Sequence, residues 1–206
     1  MYAEHVPLIN EAMRGDAETF GRGVLFSILS ARQPIQTIPD QLRDVDRNGG
    51  ESSSLALYRK WQGWEYLQAN CASLHKLICG FSLTETREAL EALTIVPGLG
   101  IVKSAFVLQF LGFDIGCLDT HNLKRENIPL EAFKMNGPNR GLNGFYRSQF
   151  DKYMKLAGGR ARELWDTWCT QIAPMRDMTA EQISELHLAI LPEETLRKLE
   201  RDTIPF

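Results

Sequence analysis

Strand-like alternation of apolar and polar residues is almost absent from this chain, as are internal repeats and low-complexity tracts. Apolar residues recur instead at spacings of three and four, which predicts an all-α protein. No apolar run approaches the roughly 18 residues that a membrane helix needs. The opening MYAEHVPLINEAMRGDAETF has no charged start followed by an apolar core, so no signal peptide is expected and the chain reads as soluble and cytoplasmic. The four cysteines, Cys71, Cys79, Cys117 and Cys169, show no C-x-x-C pair and no finger spacing. Reduced thiols and no metal site are therefore expected. Net charge is also scarce: −3 over 206 residues gives no overall attraction to a polyanion. A nucleic-acid site has to be a local basic patch, and a pure DNA-coating protein is disfavoured.

With 44% apolar and 24% charged residues, the chain can bury a core as one domain or as two small lobes. Residues 18–32, ETFGRGVLFSILSAR, predict an apolar interior helix that stops before Gln33-Pro34, since proline disfavours the α conformation in the residue before it. A short helix follows Pro39-Asp40, and DRNGGESSS (46–54) reads as an exposed loop. Residues 55–79 carry a stripe, Leu57, Trp61, Trp64, Leu67, Cys71, Leu74 and Ile78, which predicts one long helix with a kink at Gly63. Trp61, Trp64, Trp165 and Trp168 fall at helical spacing and read as core rather than as stacking platforms. Ser82 and Glu85 form a capping-box pattern opening a helix over about 83–93, and an apolar helix runs over 101–111. Residues 126–144 are the longest irregular connection, equally consistent with a functional loop or an insert. The tail predicts a helix pair broken at Gly158-Gly159, a second capping box at Thr179 and Gln182, and a short helix opened by Pro192-Glu193.

Two helices joined by Pro97-Gly98-Leu99-Gly100 make a helix-hairpin-helix. Glycines admit dihedrals closed to other residues and let a second molecule approach the backbone. The helix after the turn begins with free amides and a positive dipole end, suited to a phosphate. Lys103 and Ser104, in its first turn, can join those amides around the same phosphate. A plain tight corner between helices fits the glycines equally well. About twenty residues on, Asp119 stands in a Leu-Asp-Thr-His context at a helix start, either as an N-cap or as a catalytic carboxylate.

The segments Val96-Pro97-Gly98-Leu99-Gly100 and Leu118-Asp119-Thr120-His121, with LFSILSARQ at 25–33, resemble the helix-hairpin-helix DNA glycosylase superfamily. Its signature is an L-P-G-V-G hairpin, an apolar helix and V-D-T-H. The resemblance covers residues 18–125. It implies a single glycosylase-like unit over 1–206: two helical lobes with a DNA groove between them, hairpin 83–111, and C-terminal helices 145–206 completing the second lobe. It implies DNA contacts from Pro97, Gly98, Leu99, Gly100, Val102, Lys103 and Ser104. Arg32 and Gln33 would lie near the extruded base, although a solvated helix end describes those two as well. Asp119 inherits the role of activating the nucleophile or steadying developing charge.

Two features depart from that superfamily. Bifunctional members carry a nucleophilic lysine where this chain has Val102, and Lys103 lies one residue on. A one-residue shift turns a helical side chain by about 100°, so Lys103 is expected to meet phosphate rather than act as nucleophile. The C-terminal iron–sulfur cluster is missing too, because Cys169 stands alone, and no cofactor is expected. The segments Gly98-Leu99-Gly100-Ile101-Val102-Lys103-Ser104 and Leu118-Asp119-Thr120-His121-Asn122 further resemble a phage-associated offshoot of the superfamily that hypermodifies thymine. The implied reaction displaces pyrophosphate from 5-pyrophosphoryloxymethyl-uracil in double-stranded DNA with an amino acid such as glycine, in the host cytoplasm.

Under that implication Asp119 is the base that frees the amine, and Lys103, Lys124 or Arg125 supplies positive charge to the leaving pyrophosphate. His121 and Asn122 are assigned backbone or substrate contacts, and a passive surface role for His121 fits as well. The tail cations Lys152, Lys155, Arg160 and Arg162 alternate with Asp151 and Glu163 and read as a solvated face. A monofunctional DNA glycosylase and a non-catalytic hairpin DNA-binding protein remain as alternatives.

Overall fold

The computed structural model describes residues 2–31, 33–134, 144–172, 177–179, 182, 183, 186, 188–194, 196 and 197. Among these the fold is all-α, without a β-strand, as the spacing of apolar residues predicts. Nine α-helices follow one another in the described residues. They are α1 (Tyr2–Gly15), α2 (Ala17–Leu29), α3 (Ile38–Asn48), α4 (Tyr58–Gly80), α5 (Thr86–Leu93), α6 (Ile101–Phe110), α7 (Thr120–Arg125), α8 (Gly144–Ala157) and α9 (Ala161–Thr167). A single π turn, Trp168–Ile172, extends α9. None of the described helices is long and apolar enough to cross a membrane.

Helix α2 is the centre of the molecule. Its residues Gly23 to Leu29 are all buried, with the polar Glu18 and Arg22 confined to its first half, and α1, α3, α4 and α6 pack around it. The Asp16 carboxylate caps it by accepting from the Thr19 amide at 2.7 Å. The buried apolar side chains of the described residues form one continuous cluster from Val6 to Ile190, spanning the regions that the sequence divides between two lobes.

Local chemistry moved several predicted boundaries. Helix α2 stops at Leu29 rather than at residue 32: the Ser30 amide still bonds to the Phe26 carbonyl, but the Ala31 amide shifts to the Ile28 carbonyl at 3.2 Å, a tightened last turn three residues before Pro34. Helix α5 starts at Thr86, since Glu85 leaves helical dihedrals to accept from the Ser82 amide at 2.8 Å. The 46–54 stretch is not a simple loop. Helix α3 runs to Asn48 and two 3₁₀ turns follow, organised by the Asp44 carboxylate, which accepts from the Ser52 hydroxyl (2.5 Å), the Ser54 hydroxyl (2.7 Å) and the Ser54 amide (3.1 Å). Those bonds, the Ser52 one foremost, hold Asp44 well below the usual carboxylate range. In the tail, Thr179 and Gln182 make the full reciprocal capping box, at 2.9 and 3.2 Å.

Helix α4 carries the predicted stripe, but Leu57 lies just before it and is 53% exposed. Gly63 has a different role from the expected kink. A Cβ there would sit 2.5 Å from the Pro97 carbonyl oxygen and 2.8 Å from Ile28 Cδ1, so glycine lets α4 lie directly against the turn between α5 and α6. Of the irregular stretch 126–144, residues 126–134 and 144 are described, and Phe133 is buried edge-on against the Tyr153 ring at 4.9 Å.

Candidate functional site

The turn between α5 and α6 is built as a hairpin. Gly98 has φ 88°, in the left-handed region, and a Cβ on it would meet the Arg59 carbonyl oxygen at 3.0 Å. Gly100 is different: its backbone is extended (φ −104°, ψ −179°) and a Cβ would meet nothing within 4 Å. The fold therefore requires glycine at 98, whereas at 100 glycine leaves open space in front of the first turn of α6. Leu99 is fully buried, and Pro97 and Val102 are half-buried. Ser104 is buried as well and faces the core, which corrects the expectation that its hydroxyl reaches a phosphate. The α6 helix phase decides this: Ser104 lies inward with Ala105, Val107 and Leu108.

Lys103 points across the fold rather than out along the hairpin. Its ammonium donates to the Ser30 hydroxyl at 2.6 Å, the Ser30 hydroxyl donates to the Ser27 carbonyl, and the Ser27 hydroxyl donates to the Lys103 carbonyl at 3.0 Å. This closed loop ties the end of α2 to the start of α6. A second lysine, Lys60, is 4% exposed and donates to the Leu29 carbonyl at 2.8 Å. Both ammonium groups therefore sit at the negative end of the α2 dipole. Burial pushes the Lys60 ammonium below the ordinary lysine range, helped by the charge of Lys103. Burial likewise lowers Lys103, with Cys117 and Asp119 partly offsetting it.

Asp119 is the N-cap of α7. Its Oδ1 accepts from the amides of His121 (3.1 Å) and Asn122 (2.8 Å), which leaves Oδ2 outside the cap. The segment that leads to it is held from the C-terminal helices. The buried Tyr153 hydroxyl accepts from the Leu118 amide and donates to the Gly116 carbonyl, both at 2.9 Å, and the Gly116 amide donates to the Ala157 carbonyl. Burial raises Tyr153 well above its ordinary value, so the phenol keeps its proton for Gly116. Tyr153→Phe is expected to strand two buried backbone groups and cost about 1–3 kcal/mol, read as a fall in the urea midpoint at unchanged slope.

Lys103, Asp119 and Asn122 line one cavity, walled by Phe106, Trp165 and Trp168. The Lys103 ammonium lies 5.8 Å from the centre of the Phe106 ring, and Phe106 stacks on Trp165 at 6.3 Å. The room open to the centre of a water molecule is about 60 Å³. That is room for more than one water molecule. The cavity thus has flat apolar walls and one amine, one carboxylate and two amide side chains, those of Asn122 and Gln109. Cys117 also lines it, but burial raises its thiol to about 12, so the thiol is no nucleophile. Among the described residues no cluster of His, Cys, Asp and Glu is placed to hold a metal.

The structure thus brings Lys103, Asp119 and Asn122 together. Lys103 does not turn away from the Asp119 side: its long stem and its anchor on Ser30 carry the ammonium into the cavity despite the one-residue shift. Asn122, assigned backbone or substrate contacts, lines the cavity. His121 is half-buried, and its amide serves the Asp119 cap. Gln33 is exposed, and Arg32 lies outside the described residues. Lys124 is exposed, and Arg125 pairs with Glu126 and Glu163, so neither lines the cavity. In the tail, Arg160 pairs with Glu126 and Glu163, and Arg162 with Asp166. Sequence reasoning missed Lys60, Tyr153, Phe106, Gln109 and the wall role of Trp165 and Trp168. The apolar context of a lysine at 60, three residues after Leu57 and before Trp61, was the one available signal. Comparison with family models, with curated proteins and with solved structures found no match to this chain.

Proposed function

We propose that this protein modifies a pyrimidine turned out of double-stranded DNA, replacing the pyrophosphate of a 5-pyrophosphoryloxymethyl-uracil with an amino acid. The observation that carries this reading is the convergence of Lys103 and Asp119 on one aromatic-walled cavity, one wall of which is the helix that follows the hairpin. The amine nitrogen forms a bond to the exocyclic methylene carbon, and the carbon–oxygen bond breaks with its electron pair leaving on pyrophosphate. The proton shed by the amine goes to Asp119 Oδ2. Lys103 donates to the leaving oxygen as negative charge develops there. No cofactor takes part. The chemistry fits the cytoplasm of a phage-infected cell, where such DNA is made.

DNA is held at the hairpin, whose cavity, about 810 Å³ of open room, is lined by Lys60, Gly98, Gly100, Val102 and Lys103. Leu57 and Tyr58 stand beside it, 53% and 70% exposed, and serve as an apolar wedge for the step vacated by the base. Gly100→Ala is expected to leave thermal stability unchanged while weakening DNA binding several-fold, because its methyl group intrudes only on an approaching strand. Gly98→Ala, forced into the left-handed region, is expected to cost about 1–2 kcal/mol of stability. Thermal melts and DNA titration of the two variants separate a corner needed by the fold from a surface needed by a ligand.

A second reading, monofunctional base excision, rests on the same Asp119 Oδ2 at the cavity, which can instead activate a water to release the base. DNA carrying pyrophosphorylated hydroxymethyl-uracil, incubated with single amino acids and digested for nucleoside mass spectrometry, decides between them. Gain of one amino-acid residue is the expected result. Free base with an abasic strand selects excision, and unchanged nucleosides with every amine refute the transfer.

A further inference from the structure

We propose that Asn122 reads the base by accepting a hydrogen bond from a ring N–H, so that the cavity takes a uracil-type imide edge and rejects a pyrimidine lacking that hydrogen. This rests on the reading that the cavity receives a base from DNA. Asn122 is 2% exposed and lines the cavity, yet its Oδ1 has no hydrogen-bond partner. Buried polar atoms without a partner are rare in folded proteins, and one that faces a cavity marks the place of a missing donor.

The orientation of the amide is not arbitrary. Its Nδ2 donates to the Cys117 carbonyl at 2.9 Å, and the backbone amide of the same residue is taken up by Asp119. Reversing the amide would set Oδ1 against the Cys117 carbonyl oxygen, two acceptors with no hydrogen between them. The Cys117 bond therefore fixes which end of the amide is the acceptor, on a side chain that lines the cavity. Its neighbours do not satisfy it. The Lys103 ammonium donates to Ser30 and the Gln109 amide to the Ala161 carbonyl at 2.6 Å, and neither donates to Asn122 Oδ1, while the Asp119 carboxylate accepts from the His121 and Asn122 amides.

What enters must bring a donor. The imide edge of uracil carries one N–H between two carbonyls, so the hydrogen meets Asn122 while a carbonyl is left for a remaining N–H of Lys103. Cytosine has a lone pair at the same ring position, which repels Asn122, and an N3-methylated ring brings a methyl group where the hydrogen is needed. A site whose buried polar group is left unpaired by the wrong ligand discriminates more strongly than one that relies on shape.

The test uses duplexes with one target nucleotide opposite an abasic analogue, so that no base pair is lost on eversion. Thymidine, 5-methyldeoxycytidine and N3-methylthymidine are compared as the target, all carrying the same 5-methyl group. Wild-type protein is expected to bind the thymidine duplex at least tenfold more tightly than the other two, and Asn122→Leu with an unchanged melting temperature to flatten the difference. Equal wild-type affinities, weak or strong, overturn the proposal whether or not the variant folds. So does full discrimination retained in folded Asn122→Leu. No amine or pyrophosphate is present, so a thymidine preference without transfer refutes the transfer reaction alone. Transfer without the preference refutes only the base-reading role.

Discussion

Asp119→Asn is expected to give a folded protein that binds DNA as well as wild type and transfers the amine about 10²–10⁴-fold more slowly, the usual loss when a positioned general base is removed. The fold survives because asparagine caps a helix about as well as aspartate does. The two amide bonds at 3.1 and 2.8 Å go to a side-chain oxygen that asparagine also has. What the substitution removes is the proton acceptor at Oδ2. Single-turnover rates, a melting curve and a DNA titration separate the three effects. A non-catalytic DNA-binding protein would lose nothing measurable, and a destabilised cap would lower the melting temperature along with the rate.

Lys103→Met is expected to lower the transfer rate by about 10²–10³-fold, the scale seen when one donor to a developing anion is deleted. The pH profile gives this variant a sharper signature. Burial lowers the Lys103 ammonium below the ordinary range near 10.4. Its positive charge is lost as pH rises through that lowered value, and the transfer rate falls with it. Stability moves the other way. In the window between the lowered value and 10.4 the unfolded chain binds the proton that the folded protein has released, so stability rises with pH there and is lost as pH falls. Lys60 contributes a slope of the same sign, so Lys103→Met flattens the stability curve only in part. Lys103→Arg keeps a cation at every pH and is expected to restore part of the rate while abolishing the falling limb. A limb that persists in Lys103→Arg would assign it to another group.

Local chemistry was legible in the sequence and lateral chemistry was not. The hairpin corner, the helix after it, Asp119 at a helix start and the Thr179–Gln182 box each depend on residues within four positions of one another, where spacing reports contact directly. The direction of Lys103 depends on Ser30, 73 positions away, and the Asp119 segment depends on Tyr153, 35 positions from Leu118. Phase arguments on a single helix cannot find such partners. They assigned Lys103 to the phosphate because they turned the Cα vector by 100° and left out the reach of a four-carbon stem. The aromatic wall shows the same limit. Trp165 and Trp168 are correctly read as packed residues, and the same packing makes one side of the cavity. Asn122 was assigned to backbone or substrate contacts. Its amide makes the backbone contact, and its unpaired oxygen becomes visible only once the Cys117 carbonyl has fixed which end is the acceptor.

The central claim, that a base leaves the helix and enters the cavity beside Asp119, is tested most directly by 2-aminopurine placed next to the target pyrimidine in a duplex. Its fluorescence rises when the neighbouring base unstacks. The account predicts a saturable rise on binding of wild-type protein, an equal rise with Asp119→Asn, and a smaller one with Gly100→Ala in proportion to its weaker binding. Full binding without any rise, the target still stacked in the duplex, would contradict it.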